Sequence, residues 1–187
     1  MLSLLATTLL PVLALAQGQF GAPENSGEVL QALFVVDQTT VESGQGAQAY
    51  RINNTVATQN LKNENAALLQ AWQNVTTVVQ SSNGFYSDSG AQSLIDSVND
   101  KVYPDTKYAD SIYVQLRDRK SSRASRSGFI DYINPGLLKL RTAVDAASAA
   151  IQAKTPAKYL TQLADALLQI QQDYATTQEI QEFGYTK

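Results

Sequence analysis

The sequence predicts an all-α protein, a single bundle of about five amphipathic antiparallel helices. Three observations carry that expectation. Apolar residues recur at steps of three and four along most of the chain, which is the spacing of one helix face. No stretch shows the strand-like alternation of Val, Ile, Thr and aromatic residues with polar ones. The link around Pro156 is only a few residues long, so the helices on either side of it must run antiparallel.

The first 16 residues, MLSLLATTLLPVLALA, are apolar and uncharged and end in the small-x-small triplet Ala14-Leu15-Ala16. They read as a secretory signal peptide, cut between Ala16 and Gln17. The run is shorter than the ~20 apolar residues of a membrane span, and no later segment is apolar enough to span either. Residues 17–27 are rich in Gly, Pro and polar side chains and form a flexible lead. The bundle domain then occupies 28–182, with a polar tail over 183–187.

The first helix is expected from about Glu28, capped by Ser26 or Gly27, with Val29, Leu30, Leu33, Phe34 and Val36 on its apolar side. Gly44 and Gly46 each cost a helix about 1 kcal/mol, so a bend or a stop is expected at SGQG. The second helix runs from about Thr55 to Gln80, with Leu61, Leu68, Trp72, Val75 and Val79 in register. SSNGFYSDSG then makes a loop. A third helix, from about Ser89 to Val102, turns Leu94, Ile95, Val98 and Val102 inward. Pro104 removes a backbone donor and disfavours helix just before itself, which predicts a kink or break. Helix resumes through Tyr108, Ile112 and Leu116. The next stripe is Ile133, Leu137, Leu140, Val144, Ala147 and Ile151; here Pro135 either kinks the helix early or sits in its first turn. Thr155 and Pro156 suit the N-cap and first position of a last helix. Leu160, Leu163, Leu167, Ile170 and Tyr174 form that helix's apolar side.

Composition narrows the function. The chain of 187 residues has no Cys and no His. Stability must therefore come from the core rather than from disulfides, and His-based catalysis and most zinc sites are excluded. No metal and no cofactor is expected. A net charge of −3 argues against a nucleic-acid partner. The 17 carboxylates show no local spacing that singles out a catalytic pair. Asp96 and Asp100 lie one turn apart on a polar face. With no phosphate-cradling loop and no nucleophile elbow, the chain is not expected to be an enzyme.

Three surface features remain. Five basic residues fall between Arg117 and Arg126, as a solvated helix end, an anion site or a dibasic processing site at Arg119-Lys120. Tyr103, Tyr108, Tyr113 and Tyr132 gather around the third helix and the segment after it, as bundle rim or pocket mouth. Sequons at Asn53 and Asn74 are candidate glycosylation sites, in keeping with secretion.

The last third carries a family resemblance. LLKLRTAVDAASAAIQAKTPAKYLTQLADALLQIQQDYATT resembles the C-terminal region of fungal hydrophobic surface-binding proteins, also described as cell-wall galactomannoproteins. The shared pattern is a Leu-rich helix over Leu137 to Ile151, the link Ala153-Lys154-Thr155-Pro156, and a final helix from Ala157 with Leu160 and Leu163 in register. The resemblance implies a small protein, secreted or held in the cell wall, that binds hydrophobic material. Its partner would be a fatty acid or other apolar ligand, or a hydrophobic solid, with secreted hydrolases or wall glycans as further partners. It supplies no catalytic residue. The candidate ligand-lining residues come instead from the apolar stripes: Leu33, Phe34, Leu69, Trp72, Ile112, Leu116, Leu140, Val144, Leu163 and Leu167. The alternative is a structural wall protein or host-directed effector with a filled core.

Overall fold

A computed structural model describes residues 26–50, 55–119 and 123–183, with side chains described to residue 116 and again at 136 and 138–175. The expected signal peptide and cleavage site at Ala16 and Gln17, the Asn53 sequon and the side chains of the basic segment lie outside the described residues. The elements are α1 (Ser26–Ala49), α2 (Thr55–Ser81), α3 (Asp88–Ser97), a π-helical turn (Val98–Val102), α4 (Tyr103–Arg119), α5 (Arg123–Ala153) and α6 (Ala157–Phe183). The assignment runs unbroken from α3 through the π turn to α4, so the described residues make five helical rods and no strand.

At three of the expected interruptions the helix assignment runs on without a break. α1 runs on through Gly44 and Gly46 to Ala49. Both glycines are buried, and each makes room for a neighbour. A Cβ on Gly44 would sit 3.3 Å from the Ala109 backbone, so its absence lets α1 and α4 approach closely; a Cβ on Gly46 would collide with the Glu64 carboxylate. Pro104 does not break the third rod. The chain widens instead into the π turn, where the Tyr103 N–H reaches the Val98 carbonyl. Pro135 lies inside α5, which starts at Arg123 rather than at Asn134.

Local chemistry sets the other ends. Ser87 caps α3, its hydroxyl accepting from the Gly90 N–H at 3.1 Å. Gly84 takes φ 85° in the preceding loop, a conformation that suits glycine. Thr155 does not act as the expected cap of α6; its hydroxyl turns back to the Ile151 carbonyl at 2.8 Å and closes the end of α5. The 82–87 loop is fastened to that corner. The Tyr86 N–H donates to the Lys154 carbonyl at 2.9 Å, Lys154 Nζ donates to the Ser82 carbonyl, and Lys158 pairs with Asp88.

α1 packs against α2, α3 and α4; α2 packs against α5; and α6 closes on α3, α4 and α5. The main core joins Leu33, Trp72, Val75, Leu94, Ile95, Val144, Leu163, Leu167 and Ile170, all 0–1% exposed. A smaller cluster of Ala47, Leu61, Ile112, Tyr113 and Leu116 packs separately. At about 1.5–3 kcal/mol for each large side chain buried, these two clusters are what hold the rods together.

Candidate functional site: an apolar groove and a buried polar layer

Most of the stripe residues chosen from the sequence meet each other rather than an open interior. Leu33, Trp72, Leu140, Val144, Leu163 and Leu167 pack in the main core, and Ile112 and Leu116 in the smaller cluster. Phe34 needs correction as an interior residue. It is 42% exposed, one helical position away from fully buried Leu33 and therefore turned about 100° from the core. Leu160 is likewise 38% exposed, off the buried face formed by Leu163, Leu167 and Ile170.

The space between the two apolar clusters is polar. Passing along α1, the buried residues change from Val36 to Thr40 and Ser43 before Ala47 restores the apolar pattern. Along α4 they change from Val102 to Thr106 and Asp110 before Ile112. Asn65 lies between Leu61 and Leu68 on α2. Thr40 and Thr106 satisfy their hydroxyls by donating to carbonyls four residues back, Val36 and Val102, at 2.8 and 2.7 Å. Ser43, Asn65 and Tyr113 bond one another. Tyr174 of α6 enters the same layer. Burial, and secondarily the Asp110 charge, pushes its phenol well above the usual tyrosine range, while the Trp72 N–H and the two threonines pull the other way. None of those neighbours reaches full hydrogen-bond geometry with its hydroxyl. A largely enclosed cavity of about 20 Å³ lies here, touching Ser43, Asn65, Asp110, Tyr113, Leu140 and Tyr174. It is too small for an acyl chain.

Among the described residues, apolar space lies on the outside, between α2 and α5. An open groove of about 520 Å³ is lined by Leu69, Gln73 and Thr76 from α2 and by Leu138, Lys139, Thr142, Ala143 and Ala146 from α5. The lining follows from helical geometry. Positions 69, 73 and 76 share one face of α2, and 138, 142 and 146 share one face of α5. The α5 side is mostly small, so the two helices leave a channel instead of filling it. Leu138 is 54% exposed and forms part of its wall. Thr142 and Thr76 donate back to the Leu138 and Trp72 carbonyls, which leaves the Lys139 ammonium and the Gln73 amide as the groove's N–H donors. Among the described residues its lining contains no carboxylate. Of the residues chosen from the sequence, Leu69 alone belongs to it. Nothing in the hydrophobic stripe pointed to Thr142, Ala143 and Ala146; a run of small residues on one face of α5 was the available signal.

A second open space of about 390 Å³, between α1 and α2, is lined by Gln45, Gly46, Ala49, Val56, Ala57, Asn60 and Glu64. It presents an acid whose pKa is raised by burial and by Glu42. Asn74 is exposed on α2, and its sequon threonine, Thr76, faces the α2–α5 groove. Asp37 lies against Asp105, and its carboxyl is pushed up to about 6, mainly by burial and then by that neighbour. A carboxyl pair in contact leaves no room for the sugar ring a glycosidase pair must flank. Among the described residues no helix is long and apolar enough to cross a membrane.

No family model matches this sequence, and no curated protein matches it. Several solved structures share its fold. Ligand binding domain 1 of the Penicillium marneffei MP1 protein, complexed with arachidonic acids, superposes with a TM-score of 0.71 at 14% identity, covering 82% of this chain and 95% of that one. AFMP4P in complex with palmitic acid gives 0.73 at 14% identity, covering 84% and 99%. Ligand binding domain 2 of the MP1 protein, complexed with multiple arachidonic acids, gives 0.67 at 16% identity, covering 85% and 95%. The chain therefore has the all-helical fold of these ligand-binding domains.

Proposed function

We propose that this chain is a secreted, non-enzymatic protein that binds fatty acids or similar single-chain apolar ligands, and that the α2–α5 groove is where the chain of the ligand lies. The groove carries the reading. It is apolar, preformed and of about 520 Å³, within the roughly 300–1,000 Å³ of small-molecule sites. It also offers a cation, Lys139, and no opposing carboxylate among the described lining residues. The ligands complexed with the structural neighbours, arachidonic and palmitic acid, suit such a site: each has a long apolar chain with one anionic end. Membership of the hydrophobic surface-binding family and association with a cell wall extend this reading. Secretion follows from the N-terminal segment, and a glycan on exposed Asn74 would accord with it.

The test is native mass spectrometry of the purified protein, followed by titration of the delipidated protein with a saturated fatty acid and with the alcohol of equal chain length. The reading expects co-purified lipid mass, saturable uptake of both, and tighter binding of the acid. An exposed ion pair is worth up to about 1 kcal/mol, so the preference for the acid should be no more than about fivefold. Protein that purifies without lipid and takes up neither compound overturns the reading.

A further inference from the structure

The α2–α5 groove has a direction. Its two helices are parallel neighbours. α2 ends at Ser81 and α5 at Ala153, and both ends meet at one corner, where the Tyr86 N–H donates to the Lys154 carbonyl and Lys154 Nζ to the Ser82 carbonyl. The negative ends of both helix dipoles therefore lie beyond Thr76 and Ala146, and they disfavour an anion there. Lys139 stands toward the opposite end of the lining. Side chains lean toward a helix's N-terminus, which carries its ammonium further from the corner. The lysines at the corner are engaged, Lys154 with the Ser82 carbonyl and Lys158 with Asp88. The open face also continues past the groove. On α5, positions 149, 150 and 153 follow on from 142, 143 and 146, and each is alanine. Ala149 and Ala153 are exposed and Ala150 is half-buried. On α2 the next residue of that face is exposed Gln80. At the corner stands Phe85, 59% exposed, between Gly84 at φ 85° and buried Tyr86.

We propose, resting on the fatty-acid reading above, that the ligand lies in one orientation, carboxylate at Lys139 and methyl end at Phe85, and that Phe85 selects for long chains. Lengths agree with this. From Lys139 to Lys154 α5 rises about 22 Å. Carbon–carbon bonds of about 1.5 Å in a zigzag advance about 1.25 Å per carbon, so an extended chain of about 16–18 carbons covers that distance. A chain of about ten carbons, spanning about 11 Å, ends near Ala146 and never reaches the ring. Inside the groove each methylene should raise affinity about fourfold, and beyond Ala146, where one side of the chain stays wet, about twofold.

Two nitroxide-labelled octadecanoic acids test the orientation, one labelled near the carboxylate and one near the methyl end, each added to the isotope-labelled full chain. The first should broaden the amide signals of Leu69, Leu138 and Lys139. The second should broaden those of Ala149, Ala150, Ala153 and Phe85. Reversed patterns, or the same residues broadened by both probes, overturn the orientation and leave the fatty-acid reading standing. No binding of either probe overturns both. Titration of Phe85→Ala with decanoic and octadecanoic acid tests the selection. The exposed ring can be removed without opening the core, and a thermal melt checks this. Octadecanoic acid should bind about fivefold more weakly than to wild type, the contribution of two to three half-buried methylenes, with decanoic acid within twofold. Equal losses for the two acids, or no loss for the longer one, overturn the role of Phe85.

Discussion

Ala146→Trp gives the groove a sharp test. Ala146 is exposed on α5 and lines one end of the channel. Helical side chains lean toward the N-terminus, so an indole at 146 lies over the turn at Thr142 and Ala143, along the channel floor. From Leu138 to Ala146 the lining spans about 12 Å of helix rise, and the indole would cover roughly half of that. Displacing on the order of four methylenes at ~0.8 kcal/mol each costs a bound acyl chain about 3 kcal/mol, or roughly 200-fold in affinity. The fold should not suffer, because the substituted position is open and the ring gains contact with Leu69 and Leu138. Isothermal titration with a saturated fatty acid reads the affinity, and a thermal melt confirms an unchanged or higher Tm. A folded Ala146→Trp protein that binds within threefold of wild type would refute the assignment of the ligand to this groove.

Other consequences follow from the same structure. Leu163 is 0% exposed at the centre of the main core; Leu163→Ala should lower stability by about 3–5 kcal/mol in urea unfolding, and a loss under 1 kcal/mol would show the core to be loose there. Asp37 holds its proton more tightly folded, at about 6, than the ordinary value of 3.8. Its contribution is therefore full below about pH 4 and lost as pH rises through 6. Asp37→Asn should flatten that part of the urea-midpoint profile, and an unchanged profile contradicts the environment described for Asp37. Gly44→Ala and Gly46→Ala should differ in sign. The first forces a methyl against the Ala109 backbone and should cost about 1–3 kcal/mol. The second displaces only the end of the Glu64 side chain, whose carboxyl is destabilised by burial, and should gain up to about 1 kcal/mol of helix propensity. Chemical denaturation of the pair decides it, and equal effects would reject the distinction.

The helices were legible because their apolar stripes are long. The expected second helix, about Thr55 to Gln80, is α2 at Thr55–Ser81, and the short link at Pro156 joins an antiparallel pair. What composition alone could not show was how a neighbour compensates a poor local residue. Gly44 weakens a helix in isolation, yet here its missing side chain lets α4 in close. Pro104 opposes regular helix, yet one wider π turn absorbs it. The site was less legible for a related reason. Large apolar residues at helical spacing read equally well as cavity lining or as core, and Leu33, Trp72, Val144, Leu163 and Leu167 have one another as partners. The groove depends on residues too small to register in an apolar stripe, Thr142, Ala143 and Ala146. The polar layer depends on residues from four helices that only the fold brings together.

The most direct measurement is chemical-shift mapping of the isotope-labelled protein during titration with a fatty acid. The account predicts perturbations concentrated at Leu69, Gln73, Thr76, Leu138, Lys139, Thr142 and Ala146, with the core methyls of Leu33, Val144 and Leu163 left in place. Shifts centred on those core methyls, or no saturable shifts at all, would contradict it.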